Sequence, residues 1–232
     1  MPKSKIIKEL ANGTVDTLTA LKRAKVLLSE FDNTELNNWI NYEIIGYPDE
    51  VEIPQYRTVR GNLMGSYFKG SMASHMTWNH VSLPLGKMPD NLKEALLTVY
   101  LREGVEALRQ LAETCNTSDN IMGKSVDADF FPAIAHYNND PYMMITSATV
   151  EIAMQCIHNV FSNVENRLLD VLILLEKEFG TLDELDIDLN TKSDNEREGI
   201  IKQLQVIVFN DNSVSIGDGN KIKNSNIASS IK

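Results

Sequence analysis

Two cysteines in 232 residues, Cys115 and Cys156, have neither metal-ligand spacing nor the arrangement of a disulfide framework, and a reducing compartment is the simplest setting for them. Positive charge is scarce as well. Against 32 acidic residues stand 22 Lys and Arg, a net charge of −10, which disfavours sequence-independent nucleic-acid binding, whose affinity comes from cations displacing counterions at phosphates. No run approaches the roughly 20 continuous apolar residues of a membrane span, and the opening MPKSKIIKEL lacks the apolar core of a signal peptide. The expectation is a cytoplasmic chain with no membrane segment and no use for nucleic acid as a partner. What is present is 43% apolar content, enough for a substantial core in one domain or one domain plus an appendage.

The densest signal lies in residues 35–61, ELNNWINYEIIGYPDEVEIPQYRTVRG. Leu36, Trp39, Ile40 and Ile44 form one helical stripe, with Asn37, Asn38, Asn41 and Glu43 read as off it. Asp32 and Glu35 have capping-box spacing, Gly46 suits a helix C-cap, and Pro48 prevents continuation. Around Tyr56 to Arg60, apolar and charged residues alternate like a half-buried strand.

WINYEIIGYPD (residues 39–49) and IPQYRTVRG (residues 53–61) together resemble the signature of the AbiTii domain, a family named after a bacterial abortive-infection protein. LTALKRAKVLL (residues 18–28), VENRLLDVLILLE (164–176) and IGDGNKI (216–222) resemble the same family's layout. The resemblance implies a cytoplasmic protein of the conflict between bacteria and phages that acts through binding. It brings no catalytic motif to carry over.

Along the chain, residues 4–46 read as a three-helix unit, with residues 14–29 as its second helix. Residues 51–86, punctuated by Gly61, Gly65, Gly70 and Gly86, read as a small antiparallel sheet inserted after the third helix. A long core helix is predicted for residues 91–114, short extended pieces or a loop for 116–145, and the longest helix for 146–179. The fold class is therefore α+β, mainly helical: a helical bundle over residues 1–180 with a small sheet. An acidic linker is expected at 181–199.

Residues 200–232 read as a short β-rich tail resembling coils of a β-helix or β-prism. Val206, Val208, Val214, Ile216, Ile222 and Ile227 recur between Asn, Asp, Gly and Ser. So short a sheet leaves open edges, and copies from other subunits would complete it, giving a homo-oligomer.

The candidate ligand-binding set is Arg57, Arg60, Tyr67, Lys69, His75, Trp78 and His80: guanidinium forks for phosphate or carboxylate, with aromatic faces for stacking. Their structural alternative is ion pairing of Arg57 and Arg60 with Glu43, Asp49 or Glu50. Asp127, Asp129, His136 and Asp140 have poor spacing for a metal, and the DxDxN run at Asp186, Asp188 and Asn190 lacks the glycine and glutamate of a calcium loop. Cys156 and His158 lie two apart on a helix, so they face different ways and cannot pair locally. No catalytic group, metal or cofactor is assigned. The reading is a non-enzymatic, oligomeric binding protein with a protein partner. The alternative is a sponge for a nucleotide immune messenger, and a toxin nuclease ranks third.

Overall fold

The molecule is built around one 26-residue helix. The computed structural model describes residues 3–71, 73–115 and 121–209. In chain order the elements are α1 (Lys5–Ala11), α2 (Thr17–Ser29), α3 (Thr34–Ile45), β1 (Thr58–Arg60), β2 (Asn62–Ser71), β3 (Ser74–Ser82), α4 (Asp90–Leu97), β4 (Thr98–Tyr100), α5 (Val105–Cys115), β5 (Ile121–Ser125), α6 (Phe131–Tyr137), β6 (Met143–Ala153), α7 (Met154–Phe179) and α8 (Asp194–Phe209).

Helix α7 presents Ile157, Val160, Val164, Leu168, Val171, Leu172 and Leu175, all without solvent exposure, at the three- and four-residue spacing of a core stripe. Helices α1, α2, α5 and α8 pack on it. Its end is fixed by Gly180 at φ 88, whose N–H donates to the Glu176 carbonyl. The expected three-helix unit forms at residues 5–45. Asp16 caps α2 by accepting from Thr19 N, and Asn33 caps α3 by accepting from Leu36 N. Asn33 takes the place read for Asp32, which instead turns the chain at φ 47.

Two antiparallel sheets complete the α+β fold. β1 pairs with β4, and the larger sheet has strand order β3-β2-β6-β5. The hairpin β2–β3 lies where the glycine punctuation put it, but its sheet is not a self-contained insertion: the central partner of β2 is β6, more than 60 residues later, with Leu63 opposite Val150 and Gly65 opposite Ala148.

Several sequence expectations are corrected here. The longest helix begins at Met154, because residues 143–153 alternate with period two: Ala148, Val150 and Ile152 are buried while Thr149 and Glu151 are not. The single helix expected at 91–114 is interrupted by β4, a β-branched stretch that pairs with β1 (Val99 opposite Val59). Gly104 then lets the chain pass so close to α3 that a Cβ there would sit 2.3 Å from the Ile44 carbonyl oxygen. The segment expected as an acidic linker is packed, with Leu182 and Ile187 buried and Leu182 N donating to Ser4 Oγ. Residues 200–209 are helical rather than β-rich: Ile200, Leu204 and Val208 are buried on one face of α8, and Val206 points outward. Val214, Ile216, Ile222 and Ile227 lie outside the described residues.

Candidate functional site

Helix α3 carries a carboxylate into the interior. Leu36, Ile40 and Glu43 lie at i, i+4 and i+7, so Glu43 stands on the buried face and has no solvent exposure. Gly46, at φ 106, turns the chain back so that Tyr47 and then Arg57 meet it. The Oε1 atom of Glu43 accepts from Tyr47 Oη (2.6 Å), Tyr56 Oη (2.7 Å) and Arg57 Nε (3.3 Å), while Oε2 accepts from Arg57 Nη2 (2.5 Å). Arg57 Nη1 donates to the carbonyls of Leu101 (2.8 Å) and Glu103 (2.7 Å), and Trp39 Nε1 donates to Tyr56 Oη (3.3 Å). Both charges are thus paired and hydrogen-bonded, the condition under which burial is tolerable.

The protonation states follow from the surroundings. Burial first, and the Glu43 charge second, push the Tyr47 and Tyr56 hydroxyls well above the ordinary phenol range, so both remain donors. Burial alone would lower the Arg57 guanidinium, but the Glu43 carboxylate outweighs it and raises it.

This network backs a cleft of about 820 Å³. Trp39, Tyr42 and Tyr47 line it from α3 and the turn beyond, Val51 to Gln55 form the facing wall, and Val208 and Phe209 close one end. Glu35 and Glu52 are the charged residues in the lining, and Asn38 and Gln55 add amides. No Lys or Arg among the described residues lines it. Arg167 ties the cleft to α8: its guanidinium lies 4.8 Å from the centroid of the Tyr56 ring, and its Nη1 donates to the Ile207 (2.9 Å) and Val208 (3.1 Å) carbonyls.

A match to the AbiTii family model spans residues 4–200. The chain belongs to the AbiTii family. Membership suggests a role in abortive infection, which is to say in phage defence. No curated protein and no solved structure gave a match. The stretch that carries the resemblance, residues 39–61, is the one that builds the buried network and most of the cleft wall in this AbiTii protein.

None of the seven candidate residues read from the sequence lines that cleft. Arg57 lies behind it with no solvent contact, its donors committed to Glu43 and two carbonyls, which is the structural alternative weighed above. Arg60 is exposed and pairs with Glu94 at 2.9 Å. Tyr67 and Trp78 sit opposite each other on β2 and β3 with rings stacked 4.9 Å apart, Tyr67 being buried. Lys69 pairs with Asp140 at 2.9 Å, close to the Tyr67 ring. His75 sits opposite Gly70, on the other side of the hairpin from Trp78, against Phe68. His80 is mostly exposed, 3.7 Å from the Glu151 carboxylate. The structure brings Tyr67, Lys69 and Trp78 together and leaves Arg57, Arg60, His75 and His80 apart.

Two of the carboxylates considered for a metal have backbone roles. Asp127 accepts from Asp129 N and Asp140 from Tyr142 N, and no group of three or more His, Cys, Asp or Glu among the described residues could hold a metal ion. Sequence reasoning put Glu43 off the buried stripe and offered it only as one of three carboxylates for Arg57 and Arg60, and it missed Tyr42 and Tyr47. The signal for Glu43 was its spacing of seven from Leu36, two full helical turns.

Proposed function

We propose that this AbiTii protein acts in the bacteria–phage conflict as a binding protein that makes and breaks no bond, and that a protein partner enters the cleft in front of Arg57. The observation that carries the reading is the ion pair behind the cleft wall. Glu43 on α3, Arg57 after the loop and the carbonyls next to β4 are locked together out of water. A surface held this way is organised before the partner arrives, so little ordering cost remains at binding. The lining favours a polypeptide over a nucleotide, since Glu35 and Glu52 repel phosphate and no cation among the described residues of the wall would attract it. Clustering through Val214, Ile216, Ile222 and Ile227 is the second half of the proposal, because linked copies gain avidity without new contacts.

The test is phage plating on cells expressing the protein. Tyr42→Ala and Glu52→Lys, which alter the cleft without touching Glu43 or Arg57, are expected to abolish protection at unchanged melting temperature. His75→Ala and Lys69→Ala are expected to leave it intact. Full protection by both cleft variants would remove the cleft from the reading, and a melting-temperature rise with cyclic dinucleotides or ADP-ribose derivatives would replace the protein partner with a nucleotide.

A further inference from the structure

Away from that cleft, a second hollow of about 480 Å³ opens between α4, α6 and the inner face of β5. Its walls are apolar, with Leu92 and Leu96 on one side, Phe130 and Ile134 on the other, and Val126 and Val150 at the floor. Interiors pack densely and leave few voids larger than a water molecule. This hollow is open to solvent at its mouth, where Leu92 and Phe130 are exposed, but its apolar walls offer water few partners, and its volume is that of a small-molecule site.

The informative residue is Lys124. Strand register sets it opposite Val150 and sets Met122 opposite Ile152, both partners being core residues. Lys124 therefore starts from a register position on the inner face, in a row otherwise held by the half-buried Met122 and Val126, while its side chain is exposed at the mouth of the hollow. It lines the hollow and has no ion-pair or hydrogen-bond partner among the described residues. The Asp127 carboxylate, also at the rim, accepts from Asp129 N at the turn before α6.

We propose that this hollow binds a small apolar molecule ending in a carboxylate, the chain filling the space between α4 and α6 and the carboxylate meeting Lys124 at the mouth. The apolar walls supply the affinity, and the ammonium selects the head group.

Decanoate, decanol and decyltrimethylammonium, each below its micelle-forming concentration, are titrated into the full chain while methyl NMR signals of Met88, Val126 and Ile134 are followed. Decanoate is expected to bind about tenfold more tightly than decanol, and the cation most weakly. Lys124→Met is expected to bring decanoate and decanol to parity while both still bind. Ala133→Phe and Leu92→Phe, which fill the hollow from opposite walls, are expected to abolish binding, and circular dichroism identifies which of them is folded and decides. The proposal is overturned if no probe moves those methyls, or if a folded filling variant binds as the natural chain does. It is overturned equally if Lys124→Met keeps the carboxylate preference, because Lys124 then only covers apolar surface with its stem.

Discussion

Arg57 and Glu43 meet with neither side chain exposed, Nη2 lying 2.5 Å from Oε2, and the pair joins α3 to the segment that follows the facing wall of the cleft. Removing one partner leaves the other as an uncompensated buried charge, which costs about 3–5 kcal/mol. Arg57→Met is expected to lose stability in that range in urea unfolding. Glu43→Gln is expected to fall in the same range, because Arg57 keeps two carbonyl acceptors but no counter-charge. The double variant should cost clearly less than the two singles added together. Additive losses would show that the pair shares no energy and that the cleft is held by something else.

The glycines give a sharper contrast. A Cβ on Gly104 would lie 2.3 Å from the Ile44 carbonyl oxygen and 2.9 Å from its carbon, and backbone cannot swing aside as a side chain does. Gly104→Ala is expected to lose about 1–3 kcal/mol, the range for overpacking, and to loosen the approach of β4 to α3. Gly199 lies within α8 with open space around its Cβ position. There alanine removes only the entropy penalty of glycine in a helix and should gain about 0.5–1 kcal/mol. Equal and opposite shifts in melting temperature are not required, but the two signs are.

How far the sequence could be read depended on range. Local chemistry was legible: Gly46 ends α3 and Gly180 ends α7 because a left-handed backbone there needs no Cβ. The α7 stripe from Val160 to Leu175 needed no partner to be recognised. What failed was decided by residues far away in sequence. Thr98 to Tyr100 reads as helix until β1 offers it a ladder, and Thr146 to Ala153, read as helix, continues the extended Met143 to Ile145 into a central strand because β2 and β5 flank it. The site failed for a related reason. A cluster of cations within a short stretch of sequence looked like a pocket, but a strand turns successive side chains to opposite faces, and Arg57 belonged to Glu43. The tail was misjudged over residues 200–209, where a spacing of four from Ile200 through Leu204 to Val208 outweighs the β-like alternation of Val206 and Val208.

Acid should weaken the N-terminal attachment in a defined window. The Glu176 carboxylate accepts from Ser4 N and Ser4 Oγ and pairs with Lys3 Nζ at 2.7 Å. Its partial burial would raise its pKa, but those partners outweigh that and hold it at about 2. A folded-state pKa below the unfolded value of 4.5 means that the contribution is complete above pH 4.5 and is lost as pH falls toward 2. Allowing for screening of a group near the surface, the amount is on the order of 1–2 kcal/mol. Glu176→Gln should therefore flatten the stability profile between those two pH values, with little change in slope above. An unchanged acid limb in that variant would assign acid sensitivity to other carboxylates.

Where the chain is cut at its C-terminal side should matter more than how much is removed. Residues up to 209 belong to the packed body: Ile200, Leu204 and Val208 face the core, and Arg167 donates to the carbonyls at the end of α8 while stacking on Tyr56 behind the cleft. Burying three such side chains is worth about 1.5–3 kcal/mol each, comparable in sum with the stability of a whole domain. Deleting residues 200–232 is thus expected to unfold the protein or lower its melting temperature by more than 10 °C, on the order of what losing several kcal/mol does to a chain of this size. Deleting 210–232 keeps all of those contacts and, on the clustering proposal, should reduce the mass seen by light scattering to that of one chain. Each half of this pair stands alone. A stable protein lacking residues 200–232 would show that α8 contributes little to the core, and an unchanged mass after removal of 210–232 would end the proposal that those residues assemble it.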